Sequence, residues 1–320
     1  MKTDKRKVIL IVGPTAVGKT STSVKIAKSI HSEIISADAM QIYKGMDIGT
    51  AKITEREKEG IPHHLIDIVN PDEMFTVSDF KSRALNLISQ LHQKNKIPVI
   101  AGGTGLYVNA LIYELDFSRS IRDSNIRQEL SNYAKKHGSE ALHHELTISD
   151  PASADKIHPN NVKRVIRALE VYRITGKTFS SLNQNFRKEA DAFDYILIGL
   201  EMSRDLLYNR INHRVDDMLN QGLIEEVEQL LKSGYGEDLV SMKGIGYKEM
   251  VQHLKHEITY ETAVQLIKRN TRRFAKRQFT WFKSDQRIHW VTVDPSNLDR
   301  TYSIIKNHLT ERGVPDETNN

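Results

Sequence analysis

Residues 8–20 read Val-Ile-Leu-Ile-Val-Gly-Pro-Thr-Ala-Val-Gly-Lys-Thr, and this stretch carries the clearest chemistry in the 320-residue chain. Gly13, Gly18, Lys19 and Thr20 fill every fixed position of G-x-x-x-x-G-K-[ST]. Glycines let the backbone curl so that successive amide N–H groups point into one concavity, which holds a phosphate. A helix beginning near Gly18 adds the positive end of its dipole. Lys19 can reach the terminal phosphate, and the Thr20 hydroxyl can hold a magnesium ion, Mg2+. The pattern sits between an apolar run, residues 8–12, and a helix-like run, residues 21–29, so a chance glycine-rich turn explains it poorly. The chemistry stays open, because kinases, ATPases and other transferases share such a loop.

Two further positions end apolar stretches. Asp38 closes residues 33–38, where a sheet enzyme places a general base or a magnesium ligand. A turn or helix-cap aspartate fits the same position equally well. Thr104 lies in Gly-Gly-Thr-Gly, residues 102–105, after the apolar residues 98–101. Its plain alternative is a tight turn whose hydroxyl satisfies its own backbone.

Cations cluster late in the chain. Lys268, Arg269, Arg272, Arg273, Lys276, Arg277 and Lys283 occur without an acid among them, and Phe274, Phe279, Trp281 and Phe282 are interleaved. Arg269, Arg273, Lys276 and Arg277 fall at helical spacing and are expected to share a face. Their mutual repulsion points to an anionic partner, a nucleic acid or pyrophosphate. Arg164 with Arg167, and Arg210 with Arg214, make two smaller basic pairs. His63 with His64 and His143 with His144 invite a metal, but adjacent side chains point apart in a helix or strand, so neither pair is a ready chelate.

Elements must hold these groups in place. Strands are expected at residues 8–12, 33–38, 64–67, 98–101, 195–200 and 289–293, and helices at 76–93, 205–232 with a break near Gly222, and 261–283. This alternation argues for a parallel sheet with helices on both faces. Between residues 115 and 194 the strands stop, and helices are expected at 125–137, 139–146 and 161–174. The fold expected is therefore α/β, a P-loop NTPase-like parallel sheet core (residues 1–114 and 195–312) with a helical insertion domain (115–194). A polar tail at 313–320 is expected to fray.

Composition narrows the classes. Lysine and arginine total 46 against 41 acidic residues, a net charge of +5, so a nucleic-acid site must come from local clustering. The chain has no cysteine, which excludes disulfides and cysteine-bound zinc and suits a reducing compartment. The apolar run after the basic start leads straight into the phosphate loop, so no signal peptide is read there. No stretch reaches the ~20 apolar residues of a membrane span. A cytoplasmic protein is the expectation.

Several passages together resemble the tRNA dimethylallyltransferase family. They are residues 13–20, Ile-Ser-Ala-Asp-Ala-Met-Gln-Ile-Tyr (35–43), Gly-Thr-Ala-Lys (49–52), Pro-His-His-Leu-Ile-Asp (62–67) and Gly-Gly-Thr-Gly-Leu-Tyr (102–107). Arg-Val-Ile-Arg-Ala-Leu-Glu-Val (164–171), Gly-Ile-Gly-Tyr-Lys-Glu (244–249) and Arg-Phe-Ala-Lys-Arg-Gln-Phe-Thr-Trp-Phe (273–282) follow. The match runs from about residue 7 to 293. Ala39 stands where the motif's other form has serine, and the C-terminal zinc finger of some relatives is not seen in this cysteine-free chain.

The resemblance implies transfer of a dimethylallyl group from dimethylallyl diphosphate to the exocyclic amine of the adenosine 3′ to the anticodon, tRNA position 37, with release of diphosphate. It implies that Gly13, Pro14, Thr15, Ala16, Val17, Gly18, Lys19 and Thr20 cradle that diphosphate with Arg214, that Thr20 holds Mg2+, and that Asp38, Thr104 and Lys19 carry catalysis. It implies tRNA contacts at Asp38, Ala39, Met40, Gln41 and Thr104; at Arg127; at Lys163, Arg164, Val165, Ile166 and Arg167; at Gly244 and Lys248; and at Arg272, Arg273, Lys276, Arg277 and Trp281. The partners implied are the tRNA anticodon stem-loop and dimethylallyl diphosphate, with the insertion as a clamp, no membrane, and a monomer. Extruding a stacked adenine costs about a few kcal/mol, which phosphate contacts and stacking aromatics would offset. Two rivals share the loop: a nucleotide or metabolite kinase with Arg164 and Arg167 as lid arginines, and an NTP-dependent RNA-binding switch without transfer chemistry. A near rival prenylates free adenine nucleotides.

Overall fold

The computed structural model describes residues 5–115, 123–182 and 188–315. These form two compact units, Met1–Ile112 with Asp191–Asn320, and Tyr113–Ala190. The first unit begins with β1 (Lys7–Val12), α1 (Lys19–Ser29), β2 (Ile34–Ser36), α2 (Glu55–Lys58), β3 (His63–His64), α3 (Val77–Gln93), β4 (Val99–Gly102) and α4 (Gly105–Ile112). The second holds α5 (Ser124–His137), α6 (Ser139–Ser149), α7 (Pro151–Ala154), α8 (Val162–Thr175) and α9 (Phe179–Leu182). The first unit resumes with β5 (Asp194–Glu201), α10 (Arg204–Asn220), α11 (Leu223–Lys232), α12 (Tyr247–Leu254), α13 (Tyr260–Lys283), β6 (His289–Thr292) and α14 (Leu298–Glu311).

Among the described residues the sheet has six strands in the order β3-β2-β4-β1-β5-β6, and every pairing is parallel. β1 lies inside it, buried from Val8 to Val12, which is why it reads as an unbroken apolar run. Val12 pairs with both Gly102 and Gly199, and Ser36 pairs with Ala101. The carboxyl ends of β1, β2 and β4 are thus in register. The loops after them emerge side by side, where such sheets bind ligands.

Local signals explain the element ends. Thr76 caps α3 through a box with Asp79, whose Oδ2 accepts from the Thr76 N–H at 2.8 Å. Gly222, at φ 98°, separates α10 from α11 at the break expected from the sequence. β3 is shorter than the 64–67 expected, because Leu65 and Asp67 take φ of 61° and 55° and leave extended geometry. β2 ends at Ser36, so Asp38 stands in the loop two residues beyond its strand.

The sequence periodicity does not predict α2, α4, α7, α9, α12 or α14. The turn at 102–105 runs directly into α4, anchored by Tyr107 stacked on Phe80 at 4.1 Å. The tail expected from 313 is corrected. Gly313 N–H donates to the Thr310 carbonyl and Val314 N–H to that of Leu309, a Schellman end that buries Val314 in the sheet core. Residues 316–320 of that tail lie outside the described residues. No described helix is long and apolar enough to cross a membrane.

Candidate active site

The phosphate loop curls as its composition requires. Gly13 has φ 146°, and a Cβ there would stand 2.6 Å from the Leu200 carbonyl oxygen, so only glycine lets the loop lie on β5. Ala16 is left-handed at φ 65°, a strained state for a side-chain-bearing residue, and Arg210 Nε donates to its carbonyl at 2.9 Å. α1 begins at Lys19 with no side-chain cap and no acid in its first turn. Its first N–H groups therefore remain for an anion. Gly13, Pro14, Ala16 and Val17 are buried and can offer only backbone, whereas Thr15, Lys19 and Thr20 line a cavity of about 800 Å3.

Lys19 folds back over the loop, its Nζ donating to the carbonyls of Pro14 at 2.8 Å and Gly13 at 3.0 Å. Burial pushes its ammonium down to about 8, with the Asp38 carboxylate opposing the shift and the Arg214 guanidinium adding to it. Burial, then the neighbouring Arg210 guanidinium, likewise holds Arg214 below its ordinary value. Arg214 lines the same cavity. This crowding of cations in a poorly hydrated place favours a bound polyanion. The Thr20 hydroxyl is exposed and has no hydrogen-bond partner among the described residues, which suits a hydrated Mg2+ held by that hydroxyl and by phosphate oxygens.

Asp38 faces the loop from β2. Its Oδ1 accepts from the N–H of Met40 at 2.8 Å and, more weakly, from that of Gln41 at 3.4 Å. The turn-aspartate alternative thus describes one oxygen and leaves Oδ2 without a hydrogen-bond partner among the described residues. Thr104 Oγ1 accepts from the Ala39 N–H at 2.9 Å, so its own proton is free to donate. Asp38, Thr104, Ala39, Met40 and Gln41 all line the cavity. Gln41 is partly committed, its Nε2 donating to the carbonyl of Ala51 at 3.1 Å.

The basic helix does not present one uniform face. Arg277 and Trp281 border the cavity with Phe274, whereas Arg269, Arg273 and Lys276 are exposed away from it. Arg277 therefore parts from the other three expected with it. Lys268 pairs with Asp216 at 2.5 Å, Lys283 with Glu201 at 2.8 Å, and Arg272 Nη1 donates to Asn212 Oδ1 at 2.6 Å. Some of the clustered charge thus fastens α13 to its neighbours. Gly244 and Lys248 also line the cavity.

Within the second unit, Lys163 and Arg164 are exposed and Ile166 is half-buried. Val165 is corrected: its side chain is fully buried in the unit's own core and offers no surface to a ligand. Arg127 and Arg167 both donate to the buried carboxylate of Glu170, at 2.8 and 2.6 Å. Burial alone would raise the Glu170 pKa, but the bonds from Arg127 and Arg167 outweigh it and hold it below the usual value. Three of the four paired histidines have separate partners: His63 Nδ1 meets the Ile61 carbonyl, His64 Nε2 meets Glu33, and His143 Nε2 meets the carbonyls of Ala154 and Ile157.

Sequence reasoning missed two structural anchors. Gln278 joins the loops after β1 and β4, and Glu226 accepts the N–H groups of Asp47, Ile48 and Gly49 and the Tyr247 hydroxyl. Gln278 had a legible signal. It falls on the buried stripe of α13 with Ile267, Ala275 and Phe282, and a polar residue on such a stripe needs buried partners.

Against known proteins, the IPP transferase family model matches residues 41–285. The chain belongs to the IPP transferase family. It is 52% identical over 300 residues to the tRNA dimethylallyltransferase of Acetivibrio thermocellus, covering 94% of this chain and 95% of that one. The structure of the full-length tRNA isopentenylpyrophosphate transferase from Bacillus halodurans is similar with a TM-score of 0.71 at 45% identity, covering 97% of this chain and 98% of that one. A eukaryotic dimethylallyltransferase acting on tRNA gives 0.79 at 29% identity, over 98% and 81%. Membership of the IPP transferase family makes this chain an enzyme, a prenyltransferase on a P-loop-like α/β core. The family's matched segment starts at Gln41, so the phosphate loop and Asp38 lie just outside it.

Proposed function

We propose that the enzyme transfers a dimethylallyl group from dimethylallyl diphosphate to the exocyclic amine of the adenosine 3′ to the anticodon of tRNA. One observation carries the reading: a carboxylate with a free oxygen, Asp38, and the phosphate loop border one cavity. The amine nitrogen forms its bond to the allylic carbon while the carbon–oxygen bond to diphosphate breaks. The adenine amine is a weak nucleophile because its lone pair is delocalised, and Asp38 Oδ2 takes its proton during attack. The Thr104 hydroxyl donates beside the transferred group. Loop amides, Lys19 and Arg214 receive the charge that builds on the departing diphosphate. Mg2+ on Thr20, when bound, would add positive charge there.

The acceptor side is read as a nucleic acid. Phe274 and Trp281 are exposed at the cavity rim, where they would stack on unpaired bases, and Arg277 would meet phosphate. Arg273 and Lys276 continue the basic surface, and Lys163 and Arg164 give the second unit its own. The donor side needs a single chain, and we place the enzyme in the cytoplasm, where its tRNA would be found.

Mass spectrometry of an anticodon stem-loop incubated with the protein, Mg2+ and dimethylallyl diphosphate tests the proposal. The expected product carries one five-carbon unit on adenosine. Transfer of γ-phosphate from ATP to an acceptor, with no prenylated adenosine, would turn the assignment to a kinase. RNA binding governed by ATP or GTP and indifferent to dimethylallyl diphosphate would turn it to a switch.

A further inference from the structure

We propose that Gln278 is a positioning residue for prenyl transfer, its side-chain amide setting the spacing between the phosphate loop and the Asp38 edge of the cavity. The inference rests on the prenyl-transfer reading above. Gln278 is 6% exposed. Its Oε1 accepts the Thr15 N–H at 2.8 Å and its Nε2 donates to the Gly103 carbonyl at 2.9 Å. The amide has only this orientation, because a backbone N–H can only donate and a carbonyl only accept.

The place of this bridge matters. Val12 and Gly102 are the last paired residues of β1 and β4. Beyond them the two loops have no ladder to hold their separation, and Gln278 supplies a substitute from α13. The fit is tight: a Cβ on Gly103 would stand 2.1 Å from Gln278 Nε2. From Gly103 the contacts run on to the base. Thr104 N–H donates to the Ala37 carbonyl at 3.2 Å, and Thr104 Oγ1 accepts the Ala39 N–H, the two residues flanking Asp38. Phosphate loop, Gln278, Gly103–Thr104 and Asp38 thus form one continuous brace.

Displacement at the allylic carbon needs amine and leaving oxygen on opposite sides of that carbon. The distance from the diphosphate cradle to the base decides whether both are in place, and a misplacement of ~1 Å can cost about 10²-fold in rate. A loosened brace also lets water compete. Water oxygen then bonds to the allylic carbon, the carbon–oxygen bond to diphosphate breaks with its electron pair on diphosphate, and a water proton passes to solvent, leaving dimethylallyl alcohol.

The test compares the unaltered enzyme with Gln278→Met, which keeps length and removes both hydrogen bonds, and with Gly103→Ala, which drives the amide off its seat. For each, kcat, KM for both substrates, the melting temperature and the ratio of diphosphate released to adenosine prenylated are measured. Gln278→Met is expected to lose roughly 10–10²-fold in kcat with both KM values kept, and to release more than one diphosphate per prenyl group transferred. A kcat and a one-to-one ratio equal to those of the unaltered enzyme overturn the assignment. Should Gln278→Met melt early, the same two readouts on Gly103→Ala, taken below its own melting temperature, decide the matter. Failure of the unaltered enzyme to transfer at all would instead sink the prenyl-transfer reading.

Discussion

Asp38 commits one carboxylate oxygen to the amides of Met40 and Gln41 and keeps the other without a hydrogen-bond partner among the described residues. In the proposed mechanism, removing the side chain removes the proton acceptor, and it also loosens one turn. Asp38→Ala is expected to lower turnover by ~10²–10⁴, the range of a lost general base, while stem-loop binding survives; single-turnover kinetics beside a binding titration check this. Lys19 makes a prediction of a different kind. Its ammonium, held at about 8, is protonated below that pH and loses its proton above it. In the proposed mechanism diphosphate binds beside the protonated form, so affinity for inorganic diphosphate is expected to weaken above about pH 8, by up to about tenfold per pH unit. Calorimetric titrations across pH 6–9.5 measure it, and Lys19→Met should flatten the profile.

At the scale of the element, α13 faces two ways. Its buried stripe carries Gln278 to the reaction loops, and its exposed side carries Arg269, Arg273 and Lys276, for which no ion pair is seen among the described residues. Arg273→Ala is expected to weaken stem-loop binding and reduce the salt slope by roughly 0.7–0.9 per lost phosphate contact, read from titrations at several salt concentrations. Arg127 should behave otherwise. It holds the buried Glu170 from α5, so Arg127→Ala is expected to destabilise the second unit by about 1–3 kcal/mol, seen in urea unfolding. The sequence could not separate these two arginines. Both are basic residues on helices, and only the packing of α5 on α8 puts a buried carboxylate beside one of them.

At the scale of the whole molecule, stability depends on neutral histidines. Burial, outweighing the bond from Nε2 to the Lys7 carbonyl, lowers the pKa of His92, and its buried Nδ1 has no hydrogen-bond partner among the described residues. Burial followed by the adjacent His289, stacked on it at 4.0 Å, lowers that of His308. With folded values below the unfolded 6.5, the unfolded chain binds more protons, so stability is kept above about pH 6.5 and falls as pH drops through the lowered values. Melting temperatures measured from pH 8 to 5 are expected to decline on the acid side, and His92→Gln should reduce the decline.

The phosphate loop, the places of the buried strands along the chain and the helical character of residues 125–174 could be read from the chain alone. Each depends on local geometry: glycine spacing for the loop, apolar runs for buried parallel strands, and 3.6-residue periodicity for helices. Which cations stay free, which oxygen of Asp38 is committed, why Val165 faces inward and how Val314 ends in the core depend on neighbours distant in sequence. Gln278 shows the division most clearly. Its position on a buried stripe was visible in the helix, but its two partners lie 263 and 175 residues away and meet only when β1 and β4 stand side by side. A hydrogen bond is a short-range interaction, and only the closed fold brings such distant partners within its reach.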